Sequence, residues 1–138
     1  MTWPGPRTSV AALVQRIGPD RFAAACLDLL GDRDVDPGIV HALAGPAARW
    51  AVDSGESGPS YWLRVWALRG LLWHWDDRAS AALVTALSDA SWRVREMAGK
   101  VAARHQVEAA LEALVVCQDD PNARVRAVAH RAVERITT

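Results

Sequence analysis

Two segments of the chain, 31 positions apart, share one pattern: DASWRVREMA at residues 89–98 and DPNARVRAVA at residues 120–129. A looser copy, GPSYWLRVWA, stands one period upstream at residues 58–67. Each copy has an apolar residue followed by arginine, and then an alanine at the same offset: Ala67, Ala98 and Ala129. Periods of this length are typical of solenoids built from helix pairs. The sequence therefore predicts an all-α fold.

The three copies also carry the periodicity of amphipathic helices. At 100° per residue, positions 63, 67, 70, 71 and 74 lie on one helix face. The same columns hold apolar or small residues in every copy, apart from His74 and His105. We therefore expect helices at 60–75, 91–105 and 122–136, with the three column alanines buried in a line.

Shorter apolar segments at 81–87 and 112–118 precede the second and third copies. An acidic turn follows each of them, and it ends at Ser91 or Asn122, where an N-cap residue is preferred. The predicted unit is thus a short helix, a tight turn and a longer helix.

An acid five positions before a Val-Arg pair, with an alanine four positions after the valine, resembles the HEAT repeat in its short phycobilin-lyase form. The segments starting at Asp89 and Asp120 match this pattern, whereas Gly58 replaces the acid in the first copy. The resemblance covers about residues 60–138 and implies a right-handed α-α superhelix, a HEAT-like solenoid of antiparallel helix pairs. The lyase label belongs to the repeat subtype and implies no lyase activity here.

We expect a single HEAT-like domain over residues 1–138, with clear repeats at 59–138 and degenerate N-terminal helices at 1–58. In the N-terminal part, the apolar spacing predicts helices at 8–17, 20–30, 37–44 and 46–52. The turn-forming stretch at 54–59 predicts a loop rather than a domain boundary.

Charge and composition restrict the function classes. The chain has 16 acidic and 16 basic residues, so its net charge gives no steering toward nucleic acid or anionic lipid. The sequence has no apolar run long enough for a membrane span and no visible secretory signal, which predicts a cytoplasmic protein without membrane contact. Cys26 and Cys117 stand far apart without a metal-binding or redox pattern, which predicts buried thiols.

One helix face around residues 62–73 combines tryptophans with an arginine, and its columns become basic in the next two copies. Aromatic platforms beside Arg and Lys suit ligands that stack and carry phosphate. The candidate binding residues are Trp62, Trp66, Arg69, Trp73, Arg93, Lys100, Arg104 and Arg131. The alternative interpretation is structural: tryptophans packed between repeats, and arginines forming the polar cap of a terminal repeat.

The column arginines Arg95 and Arg126 are expected to lie within ion-pair distance of a turn carboxylate, Asp89 or Asp120. Two histidines, His74 and His105, share a column occupied by an isoleucine in the third copy, which favours packing at the core edge over catalysis. The sequence predicts no catalytic residue, metal site or cofactor.

These features predict a non-enzymatic scaffold or adaptor module that binds another macromolecule through its helix-lined surface, with a protein as the expected partner. One alternative is a nucleic-acid-binding protein related to the HEAT-like alkylpurine DNA glycosylases, which the aromatic and basic composition resembles. Another is an accessory or lyase-like module that binds a small aromatic ligand. The sequence does not predict the oligomeric state.

Overall fold

The computed structural model describes residues 2–49 and 60–138, which form α-helices joined by turns and short 3₁₀ segments. The helices are α1 (Pro6–Ile17), α2 (Pro19–Leu30), α3 (Pro37–Ala44), α4 (Tyr61–Trp73), α5 (Ser80–Ala86), α6 (Trp92–His105), α7 (Leu111–Cys117) and α8 (Ala123–Thr137). Because these residues contain no β-strand, the predicted all-α fold is confirmed. The predicted loop at 54–59 and residues 50–52 of the predicted helix at 46–52 lie outside the described residues.

The chain divides into two compact units, Met1–Trp75 and Asp76–Thr138. The first unit contains α1 to α4, and the second contains α5 to α8. The single HEAT-like domain and the right-handed superhelix stay predictions.

The first unit is built around α4, which packs against α1, α2 and α3. Gly18, with φ of 88°, ends α1 in a conformation that favours glycine, and Pro19 then starts α2. Helix α4 approaches its neighbours closely at Gly70, where a Cβ atom would lie 2.7 Å from Leu43 Cδ2 and 3.2 Å from Phe22 Cζ. The core of the first unit therefore leaves no room for a side chain at this position.

The second unit consists of two short-helix and long-helix pairs, α5 with α6 and α7 with α8, and α6 packs against α8. Four alanines of these two helices, Ala98, Ala102, Ala129 and Ala132, are fully buried. A Cβ atom at Gly99 would lie 2.7 Å from Val128 Cγ1, so the two helices meet closely there.

The predicted long helices at 60–75, 91–105 and 122–136 are confirmed as α4, α6 and α8. Ala67, Ala98 and Ala129 are each fully buried, as the column predicts. That the three alanines form one continuous line stays a prediction. Ser91 and Asn122 occupy the expected N-cap positions, and the Asn122 side chain accepts a hydrogen bond from the backbone N–H of Arg124.

Candidate functional site

The acidic turns before α6 and α8 are built in the same way. Asp89 accepts a hydrogen bond from the backbone N–H of Ser91 at 2.8 Å, and Asp120 accepts one from the backbone N–H of Asn122 at 2.9 Å. The arginine of each following helix then donates to two carbonyl oxygens of its own turn. The acceptors are the oxygens of Asp89 and Ala90 for Arg95, and those of Asp120 and Pro121 for Arg126.

Arg95 also links its own repeat to the next one. Its Nε and Nη2 atoms donate to the two carboxylate oxygens of Asp120 at 2.7 and 3.0 Å, and the Asp120 side chain is 7% exposed. Burial alone would raise the pKa of Asp120. The hydrogen bonds from Arg95 and Asn122, with the charges of Arg95 and Arg126, outweigh burial and hold this pKa below its usual value.

The expected ion pair with a turn carboxylate is thus confirmed for Arg95, whose partner belongs to the following repeat. It is not confirmed for Arg126, which within the described residues donates to main-chain carbonyls. In the first unit, the arginine of the same column, Arg64, pairs with Asp32 at 2.7 Å.

An open pocket of about 520 Å³ lies between α6 and α8. Its lining residues, which we call the basic groove, are Lys100, Ala103, Arg104, His105, Val128, Arg131 and Arg135. The repeat period sets the arrangement: Lys100 and Arg131 share one column, and Arg104 and Arg135 share another. Two cations on one helix are about 6 Å apart along its axis, and packed helix axes lie about 8–10 Å apart. The buried side chains of Ala103 and Val128 form the apolar part of the lining.

The other basic residues of the second unit are engaged within that unit. Arg78 pairs with Asp76 at 2.7 Å, Arg124 pairs with Glu96 at 2.8 Å, and the Arg93 guanidinium lies 4.5 Å from the ring centroid of Trp92.

By contrast, the side chains of Lys100, Arg131 and Arg135 form no ion pair with any acid in the part of the chain that the structure describes. Within the described second unit, these three cations without an acidic partner therefore lie together in the basic groove.

Of the binding residues predicted from the sequence, the structure brings Lys100, Arg104 and Arg131 together in the basic groove. Arg135 and His105 also line the groove, although they are not among the binding residues predicted from the sequence. The signal for Arg135 was available, because it follows Arg104 by one period and occupies the same column.

The aromatic members of the predicted set lie in the first unit. Trp66 is 4% exposed, and its ring stacks at 6.4 Å with that of Trp62, which is half-buried. Trp73 is also half-buried, and the guanidinium of Arg7 lies 5.7 Å from its ring centroid. These contacts are packing contacts within the first unit.

Arg69 is engaged inside the first unit as well. Its Nη2 atom donates to the carbonyl oxygen of Leu43 at 2.8 Å, and its guanidinium lies 5.7 Å from the ring centroid of Trp3. Burial lowers the pKa of Arg69 from its ordinary value.

The cysteines are unsuited to nucleophilic chemistry. Cys26 and Cys117 are both free and buried, as predicted. Burial raises the pKa of Cys26 to about 12 and also raises the pKa of Cys117, so both thiols stay protonated at neutral pH.

The His74 ring packs edge-to-face on Phe22 with centroids 5.6 Å apart. Among the described residues, no three His, Cys, Asp or Glu side chains are grouped to hold a metal ion.

In residues 2–49 and 60–138, no helix has the length and apolar character needed to cross a membrane.

Comparison with known proteins agrees with the repeat pattern. No curated protein and no solved structure matches the chain at a significant level. A model of HEAT repeats matches residues 52–134, which is more than half of the chain. The chain therefore belongs to the HEAT repeat family.

Proposed function

We propose that this chain is a non-enzymatic scaffold module that binds another protein through the basic groove between α6 and α8. HEAT repeats generally serve as protein-interaction scaffolds. The observation that carries the proposal for this chain is the concentration of Lys100, Arg131 and Arg135, which have no acidic partner among the described residues.

This arrangement has an electrostatic cost in the free protein. Like charges four residues apart on a helix destabilise it by about 0.2–0.5 kcal/mol, and Arg131 and Arg135 have this spacing on α8. An anionic partner would remove the repulsion and replace it with attraction. Charges at the edge of an interface also accelerate encounter and help to select the partner.

A protein partner fits the groove better than a nucleic acid does. The lining contains no tryptophan, tyrosine or phenylalanine on which bases could stack. The second unit has nine basic and nine acidic residues, so it has no net charge to attract a polyanion from a distance. We assign the protein to the cytoplasm, where two free thiols are expected to stay reduced.

The test compares three forms of the full chain in affinity capture with mass spectrometry, each run with and without nuclease. The groove variant is Lys100→Glu combined with Arg131→Glu. The matched control reverses two exposed arginines of the first unit, Arg16→Glu with Arg21→Glu, and changes the formal charge equally. Thermal unfolding checks that all three forms are folded.

We expect the wild type and the control to retain the same proteins, with nuclease having no effect, and the groove variant to lose them. Capture that is unchanged in the groove variant would contradict the proposal. Capture that disappears after nuclease treatment would favour the nucleic-acid alternative instead.

A further inference from the structure

We infer that the occupant of the basic groove is an acidic amphipathic helix of a partner protein. Its carboxylates would engage the cations of α6 and α8, and an aliphatic side chain would pack against the methylene groups of Lys100 and the arginines. This inference rests on the proposed function and adds the chemistry of the partner.

The spacing of the cations supports a helical ligand. Lys100 and Arg104 are four residues apart on α6, and Arg131 and Arg135 repeat that spacing on α8. Side chains four residues apart on a helix project from the same face, about 6 Å apart along the axis. A partner helix with acids at this spacing can therefore meet two cations of one row at once.

The chemistry of the cations supports carboxylate ligands. Three of the four are arginines, whose planar guanidinium binds a carboxylate through two parallel hydrogen bonds. A phosphate could use the same donors, but it has no apolar group to place against the methylene groups of the lysine and arginine side chains that line the groove. A helix that presents both acids and aliphatic side chains satisfies both parts of the lining.

The groove is also of suitable size. Its volume of about 520 Å³ lies within the range of about 300–1,000 Å³ in which clefts bury small ligands. It can accept a few side chains of a helix laid across it, while the remainder of that helix stays in solvent.

The experiment titrates the ¹⁵N-labelled full chain with four probes and follows its amide resonances. The first probe is a capped peptide of three Glu-Leu-Ala-Ala repeats, which places both its acids and its leucines four residues apart. The second has glutamine in place of every glutamate, and the third has alanine in place of every leucine. The fourth is a single-stranded oligothymidine of similar net charge.

We expect the acidic peptide to shift resonances of residues 100–105 and 128–135. Its affinity should fall about tenfold or more in Lys100→Gln combined with Arg131→Gln, and it should fall when the salt concentration is raised. Arg16→Gln combined with Arg21→Gln should leave the affinity unchanged. The glutamine peptide and the alanine peptide should each bind more weakly than the parent peptide.

Three results would overturn the inference: tighter binding of the oligothymidine than of the acidic peptide at the groove, equal binding of the glutamine and glutamate peptides, or no groove shifts with any probe. The affinity-capture experiment tests the proposed function independently of this titration. The proposed function fails if protein capture does not depend on the groove. If capture depends on the groove but the acidic peptide does not bind, only the helix inference fails.

Discussion

The two units place an arginine at the same repeat position and surround it differently. In the first unit, Arg64 pairs with Asp32, whose side chain is 64% exposed. In the second unit, Arg95 makes two hydrogen bonds to Asp120, whose side chain is 7% exposed. An exposed pair is screened by water, whereas a pair shielded from solvent leaves a costly unpaired charge when one partner is removed. The same arginine column therefore contributes differently to stability in the two units.

The cores differ as well. In the first unit, α4 meets large side chains at Gly70, including the ring of Phe22. In the second unit, α6 and α8 approach closely at Gly99 and Val128, and four alanines of these helices are fully buried. The repeat thus specifies a buried helix face, while the residues that cover this face are specific to each unit.

The largest expected effect tests the aromatic core of the first unit. Phe22 is fully buried and packs against His74, so Phe22→Ala should lower the free energy of unfolding by about 3–5 kcal/mol. Urea unfolding followed by circular dichroism measures the loss. Val116→Ala, at a side chain that is 72% exposed, serves as the control and should change stability by less than about 0.5 kcal/mol. Similar losses for the two variants would contradict this account of the core.

The next prediction compares the two acidic partners of the arginine column. Asp120→Asn should lower the free energy of unfolding by about 3 kcal/mol, because the Asp120 carboxylate is buried and accepts two hydrogen bonds from Arg95. Asp32→Asn, which removes the same charge from an exposed pair, should cost only about 0.2–1 kcal/mol. Chemical denaturation of both variants at neutral pH gives the two values. Equal costs would show that burial does not distinguish the pairs.

A smaller effect is expected from the close contact between α6 and α8. Gly99→Ala gains about 1 kcal/mol of helix propensity, but its methyl group would crowd Val128 Cγ1, and overpacking costs about 1–3 kcal/mol. We expect a net destabilisation of about 1 kcal/mol. In a Val128→Ala background the clash is absent, so the same change should become stabilising. A double-mutant cycle measures this coupling, and additive effects would argue against the close contact.

The smallest effect concerns pH. The pKa of Asp120 is lowered in the folded chain, whereas an aspartate in the unfolded chain titrates near about 3.9. The stabilisation from this carboxylate is therefore complete above about pH 4 and is lost as the pH falls through the lower folded value. Thermal unfolding between neutral pH and about pH 2.5 should show the difference between wild type and Asp120→Asn narrowing with acidity. A difference that stays constant or widens would contradict the assignment.

The sequence predicted the helices and the buried alanine column because both follow from local periodicity. It also predicted three groove residues, Lys100, Arg104 and Arg131, because residues one period apart fall side by side when two repeats pack. The sequence does not identify which acid pairs with Arg95, because the choice between Asp89 and Asp120 depends on the spatial offset between successive turns.

The tryptophans show a second limit of sequence reasoning. Aromatic residues at helical spacing give the same pattern whether they line a binding surface or pack into a core. Trp66 is in the core of the first unit, and Arg69 donates to Leu43 on a neighbouring helix. Only the tertiary environment distinguishes these roles.

The hydrogen-bonded ion pair between Arg95 and Asp120 affects how the second unit unfolds locally. It joins α6 to the turn that starts α8, so α8 cannot detach alone without leaving the Arg95 guanidinium unneutralised. In repeat proteins, such nearest-neighbour terms set the degree of cooperativity. The slowest amide protons of α6 and α8 should therefore exchange with solvent through one shared opening event, so that these two helices behave as a single foldon.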